Sequence, residues 1–368
     1  MIFKIFEFKI FEFIRLGVNM FSKIIATGAF VPKAYKTNDM LAEIMDTSDE
    51  WIKSRTGIST RHISEEKDTF QDDELKDRML YMSVKACEEA IYIAEKKSEK
   101  LSKSEGIDFL FERNDIDLIL AATSTGDYLF PSLSCRLQDR LGIKKAGVMD
   151  ISLACTGFLA ALQTADAYIK SGMYKNILIV GADIMSRIID WSDRNTSILF
   201  GDAAGAVIVS SDERWNMTGN SDIITSRLLS DGSGDISLYC RAMYFNEADK
   251  HSIKMDGRRV FEFAVKKVPE VIKIVIKEAE DRSGEIIEPK YYILHQANLR
   301  IIETVARRLK KDKELFPHNI ENYANTTAAT IPVLLDELNR DNKIKEGDYI
   351  ICAGFGAGLS YGASLIRW

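Results

Sequence analysis

The chain has 368 residues, 46% hydrophobic and 28% charged, the balance of a globular protein long enough for one large or two fused domains. Forty-nine Lys and Arg against 55 Asp and Glu leave a net charge of −6, so a global cationic field for nucleic acid is excluded and any basic docking site must be a local patch. No apolar run approaches the ~20 residues of a membrane-spanning helix, which excludes an integral membrane segment.

Along the chain, residues 1–19 stand apart. Lys-Ile-Phe-Glu-Phe occurs at Lys4–Phe8 and again at Lys9–Phe13, with charges among the aromatics instead of the unbroken apolar stretch of a signal peptide. The segment reads as an extension outside the core, with Met20 opening the domain; a short amphipathic segment on a membrane surface or partner is the alternative. From Lys23 a strand is expected, then a helix opening near Asn38 and Asp39. Residues 47–63 form a polar stretch around Trp51, with the composition of a functional loop. Helical periodicity covers 76–98, and the charged residues 99–115 read as a surface insertion.

Continuous apolar runs of strand length follow at IDLILAATS, AGVMDISLA, NILIVGAD, AAGAVIVS, YYILHQA and DYIICAGFG, each the mark of a strand buried on both faces. Helical stretches separate most of them, so an α/β layered fold is expected. A strand-then-helix passage leads to Cys155 and a comparable one to His295, which suggests duplication into an N-terminal half (20–215) and a C-terminal half (216–368).

Cys87, Cys135, Cys155, Cys240 and Cys352 are scattered, without a CxxC pair, and the four histidines form no HxxxH or HExxH pair. A disulfide framework and a dedicated metal site are therefore not expected, and a reducing cytoplasm is. Cys155 differs from its peers: a strand ends at about Leu153 and an Ala-rich helix begins at once, where free backbone N–H groups favour a thiolate. The plain alternative is a small core residue. His295, at the end of YYIL, takes a place from which a side chain points into a cleft at the carboxyl edge of a sheet; a satisfied core histidine is the alternative. Asn325 lies in a polar turn opening a helix, where it can also serve as an N-cap. Gly354-Phe-Gly356-Ala357-Gly358 either bends the chain or presents N–H groups to an anion.

Taken together, SDEWIKSRTGISTRHI, FPS at Phe130–Ser132, DISLACTGF, FGDAAGAVIV, ILHQANLRII, NTTAATIP and the closing GFGAGLSYGASLIRW resemble the β-ketoacyl-acyl-carrier-protein synthase III family of the thiolase superfamily, from about Met20 to Trp368. The resemblance implies a thiolase-like fold of two duplicated halves in α-β-α-β-α layers. It implies that an acyl-CoA primer, expected to be acetyl-CoA, is condensed with malonyl-acyl-carrier protein with loss of CO2, initiating fatty-acid synthesis without a cofactor or metal. Departures are residues 1–19, a surplus around 96–115, and Arg258 where many relatives carry Asn.

By the same resemblance Cys155, His295 and Asn325 form the catalytic triad, and the backbone N–H groups of Cys155 and Ala357 form the oxyanion hole. Trp51 and Arg194 sandwich the CoA adenine, with Arg55 at the same cleft mouth, while Phe130 (from across a dimer interface) and Phe261 wall the acyl pocket. Arg300, Arg307 and Lys311, spaced to share one helical face, are expected to dock acidic acyl-carrier protein; a solvated face is the alternative. A relative that acylates a specialised product, or an acyltransferase without decarboxylation, is the competing reading. A degradative thiolase is disfavoured because Gly354 stands where a second reactive cysteine is needed, and the intact triad speaks against a non-catalytic subunit.

Overall fold

The computed structural model describes residues 21–72, 76–217, 221–242 and 251–368; the expectation for the repeated N-terminal segment lies outside them. The chain begins with β1 (Lys23–Phe30), β2 (Tyr35–Thr37), α1 (Asn38–Ala42), α2 (Asp49–Thr56) and β3 (Thr60–His62). Then come α3 (Arg78–Glu105), β4 (Leu118–Ala122), α4 (Leu133–Arg140), β5 (Gly147–Ile151), α5 (Gly157–Lys170), β6 (Asn176–Ile184) and β7 (Asp202–Ser210). The remainder comprises β8 (Asp222–Ser230), β9 (Leu238–Tyr239), β10 (Lys254–Met255), α6 (Gly257–Ser283), β11 (Tyr291–Leu294), α7 (Leu299–Leu309), α8 (Ile320–Tyr323), α9 (Thr330–Arg340), β12 (Tyr349–Gly356) and β13 (Ser360–Arg367).

Two sheets dominate, a five-stranded one in the order β1-β7-β6-β4-β5 and a four-stranded one in the order β8-β13-β12-β11. Strand directions match: β1 pairs antiparallel with β7, β7 with β6, and β6 lies parallel to β4; likewise β8 pairs antiparallel with β13, β13 with β12, and β12 lies parallel to β11. The second sheet thus repeats the first without its outermost strand. Helices α5 and α9 each pack against both sheets, α3 covers the outer face of the first and α6 that of the second. The result is the expected α-β-α-β-α stack.

The central layer follows from composition. Gly157, Phe158, Leu159, Ala160, Ala161, Leu162, Ala165 and Ile169 of α5 are all buried, and a helix buried around most of its circumference needs small residues to let two sheets approach. Strands β4, β6 and β7 are buried along their whole length, as their unbroken apolar runs demand.

Two expectations need correction. Strand β5 is not buried on both faces: it is the sheet's outer strand, with Val148 and Asp150 exposed. Residues 99–115 are not a surface insertion throughout. Helix α3 continues to Glu105 and its C-cap Gly106, and the chain then returns Phe109 and Phe111 to the core, edge-on to Trp215 at 4.8 and 6.0 Å. The dense Lys/Glu pattern hid an apolar return.

Candidate active site

Cys155, His295 and Asn325 come from three separate turns that meet where the sheets abut the central helices. Strand β5 stops at Ile151, and a single 3-10 turn (Ala154–Thr156) precedes α5. Cys155 therefore sits one short turn ahead of the helix instead of at its first residue. Ala154 is held at φ +44°, a left-handed conformation uncommon for a residue with a Cβ, and this sharp reversal turns the next side chain out of the strand's path.

Strand β12 is the floor on which thiol and imidazole rest. A Cβ at Gly354 would stand 2.9 Å from His295 Cβ, and one at Gly356 would stand 3.1 Å from Cys155 N and 3.2 Å from Cys155 Cβ. Both glycines lie on one face of the strand, two residues or roughly 7 Å apart, so Cys155 and His295 seat side by side directly on bare backbone. These glycines neither bend the chain nor lie beyond the strand. Only the turn with Ala357 does, joining β12 to β13.

His295 follows β11 at once, its N–H bonding Ala353 O at 2.8 Å. Its ring meets Phe355 edge-on at 5.6 Å, and Nδ1 lies 2.7 Å from Thr330 Oγ1 at the start of α9. Asn325 is not an N-cap. It bridges Phe200, its N–H donating to Leu199 O at 2.9 Å and its carbonyl accepting from Gly201 N at 3.0 Å. Its side-chain Oδ1 accepts from Thr327 N at 2.9 Å. All three side chains are buried, at 5%, 2% and 6% exposure.

Burial reverses one expectation. The helix N-terminus does not leave Cys155 a thiolate: desolvation pushes the thiol well above its ordinary value, and the nearby Asp183 carboxylate adds to this, opposed only by a backbone N–H. The same desolvation holds the His295 imidazole down to about 3. At neutral pH the site therefore pairs a thiol with an uncharged imidazole.

At the surface, Trp51 on α2 carries the Arg194 guanidinium 4.6 Å from its ring centre and that of Arg55 at 5.5 Å, while Arg194 also bonds Asp46 O at 2.8 Å. Trp51 and Arg194 are thus brought together but rest on each other, with no gap for a base between them. Phe130 is 83% exposed and away from the buried triad's own packing. Phe261 on α6 is half-buried, with Arg300 5.9 Å from its ring. Arg258 is exposed and paired with Glu262 at 2.9 Å.

The basic stripe is shorter than expected. Helix α7 ends at Leu309 and Lys310 turns left-handed at φ +56°, so Lys311 leaves the face of Arg300 and Arg307 and pairs with Glu288 at 2.7 Å. Asp183, Thr327 and Thr330, all packed around the triad, were not singled out from the sequence. The available signal was an Asp next to the last residue of β6, after an apolar run. No group of three His, Cys, Asp or Glu suited to a metal ion occurs among the described residues.

A duplicated five-layer core that brings a thiol and an imidazole onto one strand defines a thiolase-like acyl-transferring enzyme. Residues 149–232 match the family model of 3-oxoacyl-[acyl-carrier-protein] synthase III and residues 282–368 that of its C-terminal part. The β-ketoacyl-[acyl-carrier-protein] synthase III of Clostridium acetobutylicum is 40% identical over 94% of this chain and 98% of its own length. The crystal structure of the Aquifex aeolicus synthase III superposes with a TM-score of 0.81 at 38% identity, covering 94% of this chain and all of the other. A priming β-ketosynthase from the R1128 polyketide pathway matches with a TM-score of 0.80 at 30% identity, over 95% of this chain and 96% of its own. The chain belongs to the β-ketoacyl-acyl-carrier-protein synthase III family.

Proposed function

We propose that this enzyme condenses an acyl-CoA primer, acetyl-CoA first among them, with malonyl-acyl-carrier protein to give a 3-oxoacyl-acyl-carrier protein, CoA and CO2, so initiating fatty-acid synthesis. The observation that carries the reading is the seating of Cys155 and His295 side by side on the glycine-bared face of β12. In the first half-reaction Cys155 Sγ bonds the acyl carbon as the bond to CoA sulfur breaks. The thiol proton leaves with CoA, and the oxyanion is met by the N–H groups of Cys155 and Ala357. In the second, malonyl-carrier protein loses CO2, and its enolate oxygen is held by His295 Nε2–H and the Asn325 amide while carbon attacks the acyl-cysteine. The released sulfur takes a proton from solvent, the one proton that the whole condensation consumes. With Nδ1 accepting from Thr330 Oγ1–H, a neutral imidazole keeps its one proton on Nε2 for that donor role and adds no charge to a dry cavity. Thiol, imidazole and carboxamide together carry the chemistry without a cofactor.

The donor nucleotide is assigned to the Trp51, Arg55 and Arg194 cluster, with the Arg194 side chain swinging off Trp51 to admit adenine. Arg300 and Arg307 form the basic face for the acidic carrier protein, and Phe261 borders the acyl pocket. A homodimer is supported by the free edge of β5 together with Leu129 and Phe130, 80% and 83% exposed; apolar side chains at such exposure next to an open strand edge seek a partner, and pairing there carries Phe130 into the neighbouring acyl pocket. No described helix is long and apolar enough to cross a membrane, and a cytoplasmic location suits the free thiols and the soluble substrates.

Purified protein given acetyl-CoA and malonyl-carrier protein is expected to release CO2 and form a four-carbon 3-oxoacyl product. Acyl transfer without CO2 release refutes the reading, and a panel of acyl-CoA lengths separates fatty-acid initiation from priming of a specialised product.

A further inference from the structure

The role of Asn325 depends on which end of its carboxamide faces the substrate, and that orientation has a visible cause. Oδ1 accepts the Thr327 N–H, so Nδ2, which meets no protein acceptor among the described residues, is the end left for a ligand. This arrangement needs Thr327 at φ +51°, a conformation that β-branched residues rarely adopt. Something must hold it there.

The holder is Asp183, buried at the end of β6. Its Oδ2 accepts from Thr327 Oγ1 and from Ala328 N at 3.3 Å. Its Oδ1 accepts from Ser124 N at 2.8 Å, Thr125 Oγ1 at 2.9 Å and Thr123 Oγ1 at 3.3 Å. Five donors from two segments converge on a single carboxyl group; burial pushes it toward protonation and these donors pull it back toward the charged form. One segment is the turn that orients Asn325, and the other leads from β4 toward Phe130.

The geometry points to Asp183 as a positioning residue for the condensation step: by clamping Thr327 it fixes the Asn325 carboxamide with its N–H groups toward the enolate. The inference rests on the proposed donor role of Asn325. It adds that the two half-reactions separate at Asp183, because acyl loading uses Cys155 and backbone N–H groups that the clamp does not touch.

Thr327→Val, which keeps the shape and removes the hydroxyl, is expected to lower the condensation kcat by 10- to 100-fold. The KM for malonyl-carrier protein and the rate of acyl-enzyme formation, read by intact-protein mass spectrometry, should stay within twofold. Thr327→Ser is expected to restore condensation to within threefold. Asp183→Asn should show the same split, with the acyl-enzyme still forming while condensation slows. If that variant does not fold, the Thr327 pair carries the test. Equal losses in loading and condensation, wild-type condensation by Thr327→Val, or no rescue by Ser overturns the inference. Asn325→Ala keeps it separate from the parent reading: a stalled Asn325→Ala beside a normal Thr327→Val sinks the clamp alone, whereas normal condensation by Asn325→Ala sinks both.

Discussion

The 3-10 turns that feed the two central helices are counterparts. One runs Ala154–Thr156 into α5 and the other Thr327–Ala329 into α9, and each opens on a left-handed residue, Ala154 at φ +44° and Thr327 at +51°. In this register Cys155 matches Ala328. Each turn leans on the sheet of the other half: Gly356 of β12 makes room for Cys155, and Gly181 of β6 makes room for Ala328, whose carbonyl oxygen fills the space that a Cβ on Gly181 would need. The difference is what lies beside the glycine. β6 supplies Asp183 to its turn, whereas β12 meets the turn of Cys155 with bare backbone. Duplicated scaffolding has been kept while the side chains have divided into one nucleophilic turn and one donor-aiming turn.

The strongest way to break this comparison is to remove or move the sulfur. Cys155→Ser should abolish the covalent acyl-enzyme seen by mass spectrometry. Adding Ala328→Cys to that variant should leave it inactive, because Ala328 packs toward Gly157 and not on the strand that seats His295. Acylation of the transplanted thiol would show the turns to be interchangeable. Next in size is Gly356→Ala, whose new Cβ meets Cys155 N and Cβ at 3.1 and 3.2 Å. Overpacking of this kind costs about 1–3 kcal/mol, so a lower Tm and acyl loading slowed by ~10-fold or more are expected; an unchanged loading rate would contradict the floor assigned to β12.

A third test is electrostatic. Folding holds His295 down to about 3 against an ordinary 6.5, so between those pH values the unfolded chain binds the extra proton. Stability should therefore fall as pH drops below 6.5, by up to ~1.4 kcal/mol per pH unit from this residue, and denaturant melts of His295→Gln should show a shallower slope. The smallest effect is expected farthest from the turns. Arg300→Glu should raise KM for malonyl-carrier protein several-fold and hardly affect acyl-CoA, whereas Lys311→Ala, off the helical face, should change either by less than twofold.

Much of this organisation is legible in the sequence because strands buried on both faces leave unbroken apolar runs, His295 ends one of them, and Cys155 and Asn325 each stand in the turn that precedes a helix. The edge character of β5 was not legible: AGVMDISLA is apolar enough for a core strand, and only the sheet order exposes alternate residues. Nor was the return of Phe109 and Phe111 beneath a lysine-rich helix end. The ionisation of Cys155 is not legible either, because proximity to a helix terminus shows in the sequence, while the desolvation that outweighs it is a property of the packed interior. Asp183 was overlooked for a related reason. Its meaning lies in donors 60 and 144 positions away.

The protonated, nearly dry state of Cys155 bears on oxidative damage. Peroxide attacks sulfur as the anion, and burial holds the resting Cys155 in its thiol form. Such a nucleophile should outlast exposed thiolate enzymes in the same stressed cell, keeping chain initiation running while more reactive cysteines are consumed.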